Sequence, residues 1–217
     1  MKEIAVTDIQ LLVERYPQLL PLRENILQAL QCLTKAYQEG HTLLVCGNGG
    51  SAADSLHITG ELMKTFSFKR PISAEVQTKL KEAFPEQAAF YIQSLEGALP
   101  TISLVNEVGL MTAYANDKAG SLVFAQQVIG YGKKGAVLLA ISTSGNSENV
   151  VHAARVAKAM GMSVISLTGE GGGILRELSD VLINVPSRIT YQIQEFHLPV
   201  YHAMCLALEH EFFGEDA

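Results

Sequence analysis

An α/β fold is predicted here: a five-stranded parallel sheet flanked by helices and preceded by an N-terminal helical arm. Two observations lead to it. Short apolar runs closed by Gly, Ser or Pro recur along the chain, and stretches of helical periodicity lie between them. Strands of a parallel sheet are covered on both faces and so read as near-continuous apolar runs, and alternation with helices at this pitch is the pattern such a sheet needs.

The arm comes first. Residues 4–39 are mostly helical in pattern, interrupted at Pro17 and Pro21, with Leu22, Ile26, Leu30 and Leu33 spaced for one face. Such a stripe must pack on the sheet or on another copy of the chain, and with no strand beside it the second is expected. Strands follow at 42–46, 101–105, 136–141, 163–167 and 181–185, the last ended by Pro186. Helices are expected near 51–66, 119–130, 146–160 and 190–213. Residues 67–99 start polar at Lys69, Arg70 and Pro71, turn helical over about 77–95, and are read as an inserted helix. The length suits a single domain over 1–217, with the arm at 1–39 and the insertion at 67–99.

Composition excludes several classes. With 48% hydrophobic and 18% charged residues, the chain buries a core and is not disordered. A net charge of −6, with basic clusters only at Lys79/Lys81 and Lys133/Lys134, lacks the electrostatic footprint for direct nucleic-acid binding. No run is long and apolar enough for a membrane span, and residues 1–10 carry Glu3 and Asp8 where an export signal would be basic. The three cysteines, Cys32, Cys46 and Cys205, match neither a disulfide framework nor a thiolate metal site, which points to a cytoplasmic protein. Any anionic ligand must then be held by local donors and helix ends, because the overall field repels it.

Two loops offer such donors. The first strand runs into Gly47-Asn48-Gly49-Gly50-Ser51-Ala52-Ala53-Asp54, where glycines let the backbone approach a ligand as a helix begins. A P-loop is excluded, since Ser51-Ala52 stands where Lys and Ser/Thr are required. A dinucleotide fingerprint is a degenerate match here, with no acidic residue closing a second strand. A plain glycine turn capped by Ser51 is the simpler alternative. The third strand leads into Ser142-Thr143-Ser144-Gly145-Asn146-Ser147, five hydroxyl or amide side chains in six residues, more than one helix cap uses. Hydroxyls, amides and a helix N-terminus together suit a dianionic phosphate. A third loop, 168–173, is expected only to turn the chain.

Side chains capable of reaction stand on two helices. His57 and Glu61, four residues apart, share a helix face, a spacing as common in surface pairs as in metal sites. The last helix carries Gln194, His197 and His202 around an interior Pro199, and either histidine alone would suit a satisfied core residue.

The residues Cys46 to Ser51, the Asn116-Asp117 pair, Ile141 to Ser147 and Gln194-Glu195-Phe196-His197 resemble the sugar isomerase (SIS) domain family, and within it the phosphoheptose isomerases. The resemblance spans roughly 40–66 and 100–213. It implies flavodoxin-like layering of the sheet, a homotetramer with active sites at subunit interfaces, and a phosphorylated sugar as substrate. The implied reaction is aldose–ketose isomerisation of a heptose phosphate such as sedoheptulose 7-phosphate, through an enediol. By the same resemblance His57, Glu61, Gln194 and His202 are zinc ligands, with Glu61 and His202 also the catalytic proton-transfer pair. Asn48, Gly49, Gly50, Ser51, Asn116, Asp117, Ser142, Thr143, Ser144 and Ser147, with Glu61 and Gln194, line the substrate. Two positions depart from the family pattern: Thr65, beside Lys64, stands where an Arg is usual, and Tyr191 where an acidic residue is usual. The rival reading is a non-catalytic SIS protein that binds the replication initiator or senses a sugar phosphate. Such relatives typically lack the metal and proton-transfer residues that this chain carries.

Overall fold

A computed structural model of the chain describes residues 1–214. It opens with α1 (Glu3–Arg15), a 3-10 turn (Pro17–Leu22) and α2 (Arg23–Gln38). Next come β1 (Leu43–Cys46), α3 (Gly50–Met63), α4 (Ala74–Ala83), α5 (Ala88–Ser94) and β2 (Thr101–Ser103). The C-terminal half holds α6 (Val108–Tyr114), α7 (Val123–Tyr131), β3 (Val137–Ile141), α8 (Glu148–Ala159), β4 (Ser163–Gly169), α9 (Leu175–Leu178), β5 (Val181–Val185) and α10 (Thr190–Phe213). All five strands are parallel, in the order β2-β1-β3-β4-β5.

Each strand sends alternate side chains to opposite faces and so feeds two cores. Leu43, Val45, Leu139, Ile165 and Ile183 face a layer formed by the arm, α3 and α10. Leu44, Cys46, Leu138, Ala140 and Val164 face the layer of α7, α8 and α9. The strand expectations hold to within two residues at each end, because buried apolar runs leave little freedom in register.

Three expectations need correction. The arm's stripe is covered by its own chain: Ile26 and Leu30 are 0% exposed against the sheet and α10, and Ile9 and Leu12 of α1 join the same core. The face of β3, β4 and β5 left open by α3 and α10 needs a cover, and the arm is the cover. The 67–99 insertion is two helices, not one. Phe84 precedes Pro85, whose ring disfavours helical backbone at its neighbour, and Phe84 sits at φ −141° with α4 already closed. The expected 119–130 helix begins instead with a π turn (Ala115–Ala119) and a 3-10 turn (Gly120–Leu122), and α6 and α9 had no counterpart. No described helix is long and apolar enough to cross a membrane.

Candidate active site

The order of strands reverses at β1 and β3, since the chain leaves β1 for β2 on one side and β3 for β4 on the other. Loops at the C-terminal ends of such a pair diverge and leave a crevice, where ligands of open parallel sheets bind. Both Gly/Ser-rich loops lie there. Asn48 and Asn149 join them by exchanging amide hydrogen bonds of 2.8 and 2.9 Å. Asn48, Gly49 and Gly50 are exposed, whereas Ser51 is buried at the start of α3. At Gly50 an added methyl would overlap the Gln194 side-chain amide, so glycine is what lets α10 approach this turn.

In the second loop Ser142 Oγ and Ser147 Oγ are 3.0 Å apart. Ser147 is the N-cap residue of α8, yet its hydroxyl makes no cap bond; Val150 N donates to Asn149 Oδ1 at 3.0 Å, which leaves the amides of Glu148 and Asn149 for a ligand. The third loop braces the second: Gly169 N donates to Thr143 O at 2.9 Å, Leu175 N to Gly145 O at 3.1 Å, and Ile174 N to Asn146 Oδ1 at 2.9 Å. Its turning role therefore extends to support. Gly145 has φ +68°, and a Cβ there would run into the Gly172 carbonyl. A Gly145→Ala variant is thus expected to lose about 1–3 kcal/mol of loop stability and at least about tenfold in inorganic-phosphate affinity, read by calorimetric titration. Wild-type phosphate affinity in that variant would remove this loop from the site.

Asn116 and Asp117 lie exposed on the π turn after α6, and Asn116 Nδ2 donates to Asp117 Oδ1 at 2.9 Å. Tyr191 is exposed in the first turn of α10.

Helix α3 carries the reactive side chains onward from the first loop. His57 Nε2 lies 3.2 Å from Glu61 Oε1, and Lys64 Nζ lies 3.1 Å from Glu61 Oε2. On the other ring nitrogen, His57 Nδ1 is 3.1 Å from the Tyr201 hydroxyl, which donates to Asp54 Oδ1 at 3.2 Å. With the phenol hydrogen given to Asp54, the phenol oxygen is left to accept from His57 Nδ1, and Nε2 faces Glu61. Burial raises the Asp54 pKa, against the lowering by its Tyr201 bond and by His57. Burial also raises that of Tyr201, assisted by Asp54, so the phenol stays protonated at neutral pH.

His202 comes from α10 to the same place. Its ring centroid is 4.9 Å from that of His57 and 5.6 Å from that of Phe66, and its Nε2 is buried with no hydrogen-bond partner. Burial, and then the neighbouring His57, lower its pKa, with Glu61 acting the other way, which favours a neutral imidazole able to accept a proton. A cavity of about 510 Å³ between α1 and α10 has His202, Phe66 and Leu198 in its wall. His197 points elsewhere. Its side chain is 0% exposed, with Nε2 3.3 Å from the Thr168 carbonyl, and it belongs to the interior under β4.

His57, Glu61 and His202 are thus brought together, whereas Gln194 rests on Gly50, roughly 10 Å up α3 from His57. Among the described residues no three His, Cys, Asp or Glu side chains converge as a ready metal shell. Sequence reasoning missed Asp54, Tyr201 and Asn149. The first could have been found, since residues 54, 57 and 61 fall on one helical face; Tyr201 and Asn149 have no local signal.

Comparison with known proteins gives a consistent picture. The SIS domain model matches residues 15–103 and 91–169. A phosphoheptose isomerase of Burkholderia pseudomallei (strain 1710b) is 40% identical over 185 residues, 85% of this chain and 80% of that protein. One from Akkermansia muciniphila is 33% identical over 214 residues, 99% of this chain and 100% of its own length. Among solved structures, the phosphoheptose isomerase of Neisseria gonorrhoeae superposes with a TM-score of 0.70 at 32% identity, covering 94% of this chain and 92% of that one. The enzyme from Francisella tularensis gives 0.71 at 31% identity over 86% of each. With both loops in the crevice and relatives of this identity over nearly the whole length, the chain belongs to the SIS-domain family and, within it, to the phosphoheptose isomerases.

Proposed function

We propose that this isomerase interconverts a ketose and an aldose heptose phosphate, with sedoheptulose 7-phosphate as the ketose. The observation that carries the reading is the meeting of His57 and Glu61, on the helix that leaves the first Gly-rich loop, with His202 of α10. The hydroxyls of Ser142, Thr143, Ser144 and Ser147, with the N-terminus of α8, would hold the phosphate, and Asn48 to Ser51 with Gln194 the nearby sugar oxygens. Asn116 and Asp117 supply further sugar contacts from the π turn. Isomerisation moves one proton between adjacent carbons through an enediol. One member of the Glu61/His202 pair takes the proton from carbon 1 of the ketose and the other delivers one to carbon 2; the return reaction reverses the roles.

The donor chemistry fits zinc. His57 Nε2 lies 3.2 Å from Glu61 Oε1, and His202 Nε2 is buried without a hydrogen-bond partner, so imidazole and carboxylate groups of the kind that bind zinc stand side by side. His57, Glu61 and His202 would hold it, while Gln194, the fourth ligand that the resemblance implies, rests on Gly50 instead. A zinc ion bound there would polarise the substrate oxygens as negative charge develops on the enediol. With zinc bound, Asp54 and Tyr201 would hold the His57 hydrogen on Nδ1 and leave Nε2 to the ion.

Exposed Leu56 and Met63 on α3, Leu198 on α10 and Leu11 beside the cavity support assembly of copies over this region, in the homotetramer that the resemblance implies. Cysteines Cys32, Cys46 and Cys205 are free thiols, which supports a reducing, cytoplasmic setting.

The test is turnover of sedoheptulose 7-phosphate by the purified protein, before and after chelation. Turnover is expected, with loss in chelator and recovery on adding Zn²⁺. Full activity in chelator ends the zinc assignment. Phosphosugar binding without turnover ends the enzymatic one and leaves a sensor.

A further inference from the structure

We infer that Arg70 and Glu209 are positioning residues that set Glu61 against His202, a role that rests on the isomerase reading above. The two form an ion pair with both side chains 0% exposed and Arg70 Nε 2.6 Å from Glu209 Oε1. The rest of the guanidinium faces the end of α3. Its Nη2 donates to the Glu61 carbonyl at 2.8 Å and its Nη1 to the Leu62 carbonyl at 2.9 Å. Helix α3 closes at Met63 with Lys64 already extended at φ −145°, and no glycine caps it. The fork of Arg70 supplies a donor to the Glu61 carbonyl and a second one to that of Leu62, which also accepts from Leu99 N at 2.9 Å.

The carboxylate of Glu209 holds the chain just beyond. It accepts from Phe66 N and Ser67 N, both at 2.8 Å, while the Arg70 guanidinium lies over the Phe213 ring, 5.0 Å from its centroid. Stability alone gives little reason for this arrangement, because burying two charges carries a desolvation penalty that a well-packed apolar pair avoids. Geometry gives one. Glu209 stands seven residues after His202 on α10, about two turns along the same face. The pair therefore ties the backbone of one proton-transfer residue to the helix that carries the other. Reach to the two reacting carbons depends on that spacing, and an ångström of drift can cost about a hundredfold in rate.

Two variants test it. R70K keeps a charge for Glu209 but loses the fork, and R70M/E209L replaces the pair by apolar side chains, so a folded variant exists even where a lone buried charge would unfold the chain. In folded protein each is expected to lower kcat by about tenfold to a hundredfold while KM stays within about twofold. Amide exchange over residues 61–67 is expected to speed up by about tenfold, with α7 and α8 unchanged. A folded R70M/E209L protein with wild-type kcat overturns the proposal. The isomerase reading is judged separately, by wild-type turnover. Should the wild-type chain isomerise no sugar phosphate, exchange decides the clamp, and unchanged protection over 61–67 in both variants overturns it.

Discussion

Glu61→Gln is expected to lower kcat for sugar-phosphate isomerisation by about 10²- to 10⁴-fold, the range that one positioned proton-transfer group supplies. The substitution keeps the volume and removes the charge. The Glu61 side chain is 15% exposed and its partners, His57 of α3 and Lys64 just beyond that helix, are both exposed, so nothing in the core depends on it. Melting temperature and phosphate affinity should therefore stay near wild type while turnover collapses, a split that separates chemistry from folding. Full kcat in the Glu61→Gln enzyme would end the proton-transfer assignment.

The next largest effect concerns stability against pH and comes from His197. Burial drives the pKa of this imidazole down to about 4, partly offset by its bond to the Thr168 carbonyl, whereas in the unfolded chain it titrates near 6.5. Its folded-state pKa is depressed, so unfolding takes up a proton between those values. The stability from neutral His197 is fully present above about pH 6.5 and is lost as pH falls toward 4. The shift corresponds to about 3 kcal/mol over that window. Urea unfolding at a series of pH values, with His197→Gln as reference, isolates this contribution, since every other titrating group is common to both proteins. Equal pH slopes for the two would show that His197 is accessible to protons in the fold.

The fold was legible to the extent that burial on both faces writes itself into composition. The run ending at Cys46, the run ending at Ile141 and the Val181–Val185 segment are apolar because each strand is buried on both sides, and they read as strands without neighbours being known. Elements held by local turn chemistry or by distant partners were harder. Phe84-Pro85 splits the insertion, and a π turn replaces the start of the expected 119–130 helix. The arm's cover was misassigned because a stripe on a helix states that something packs there and not what.

For the site, Gly47 to Ser51 and Ser142 to Ser147 stood out because phosphate-type loops concentrate special residues in a few consecutive positions. His57 and Glu61 shared a face by spacing alone. Between His197 and His202 the sequence left the choice open, and packing resolves their placement: one imidazole is enclosed beneath β4, the other lies against His57.

By itself, then, the sequence determined the parallel α/β class, the two loops and the α3 pair, because helical and strand periods and turn chemistry act over a few residues. Only the tertiary structure decided that the arm covers its own sheet, that Tyr201 and Asp54 orient His57, and that Arg70 reaches Glu209 across 139 residues of chain. Those contacts join positions remote in sequence, and they exist only once the helices have packed and solvent has been excluded between them.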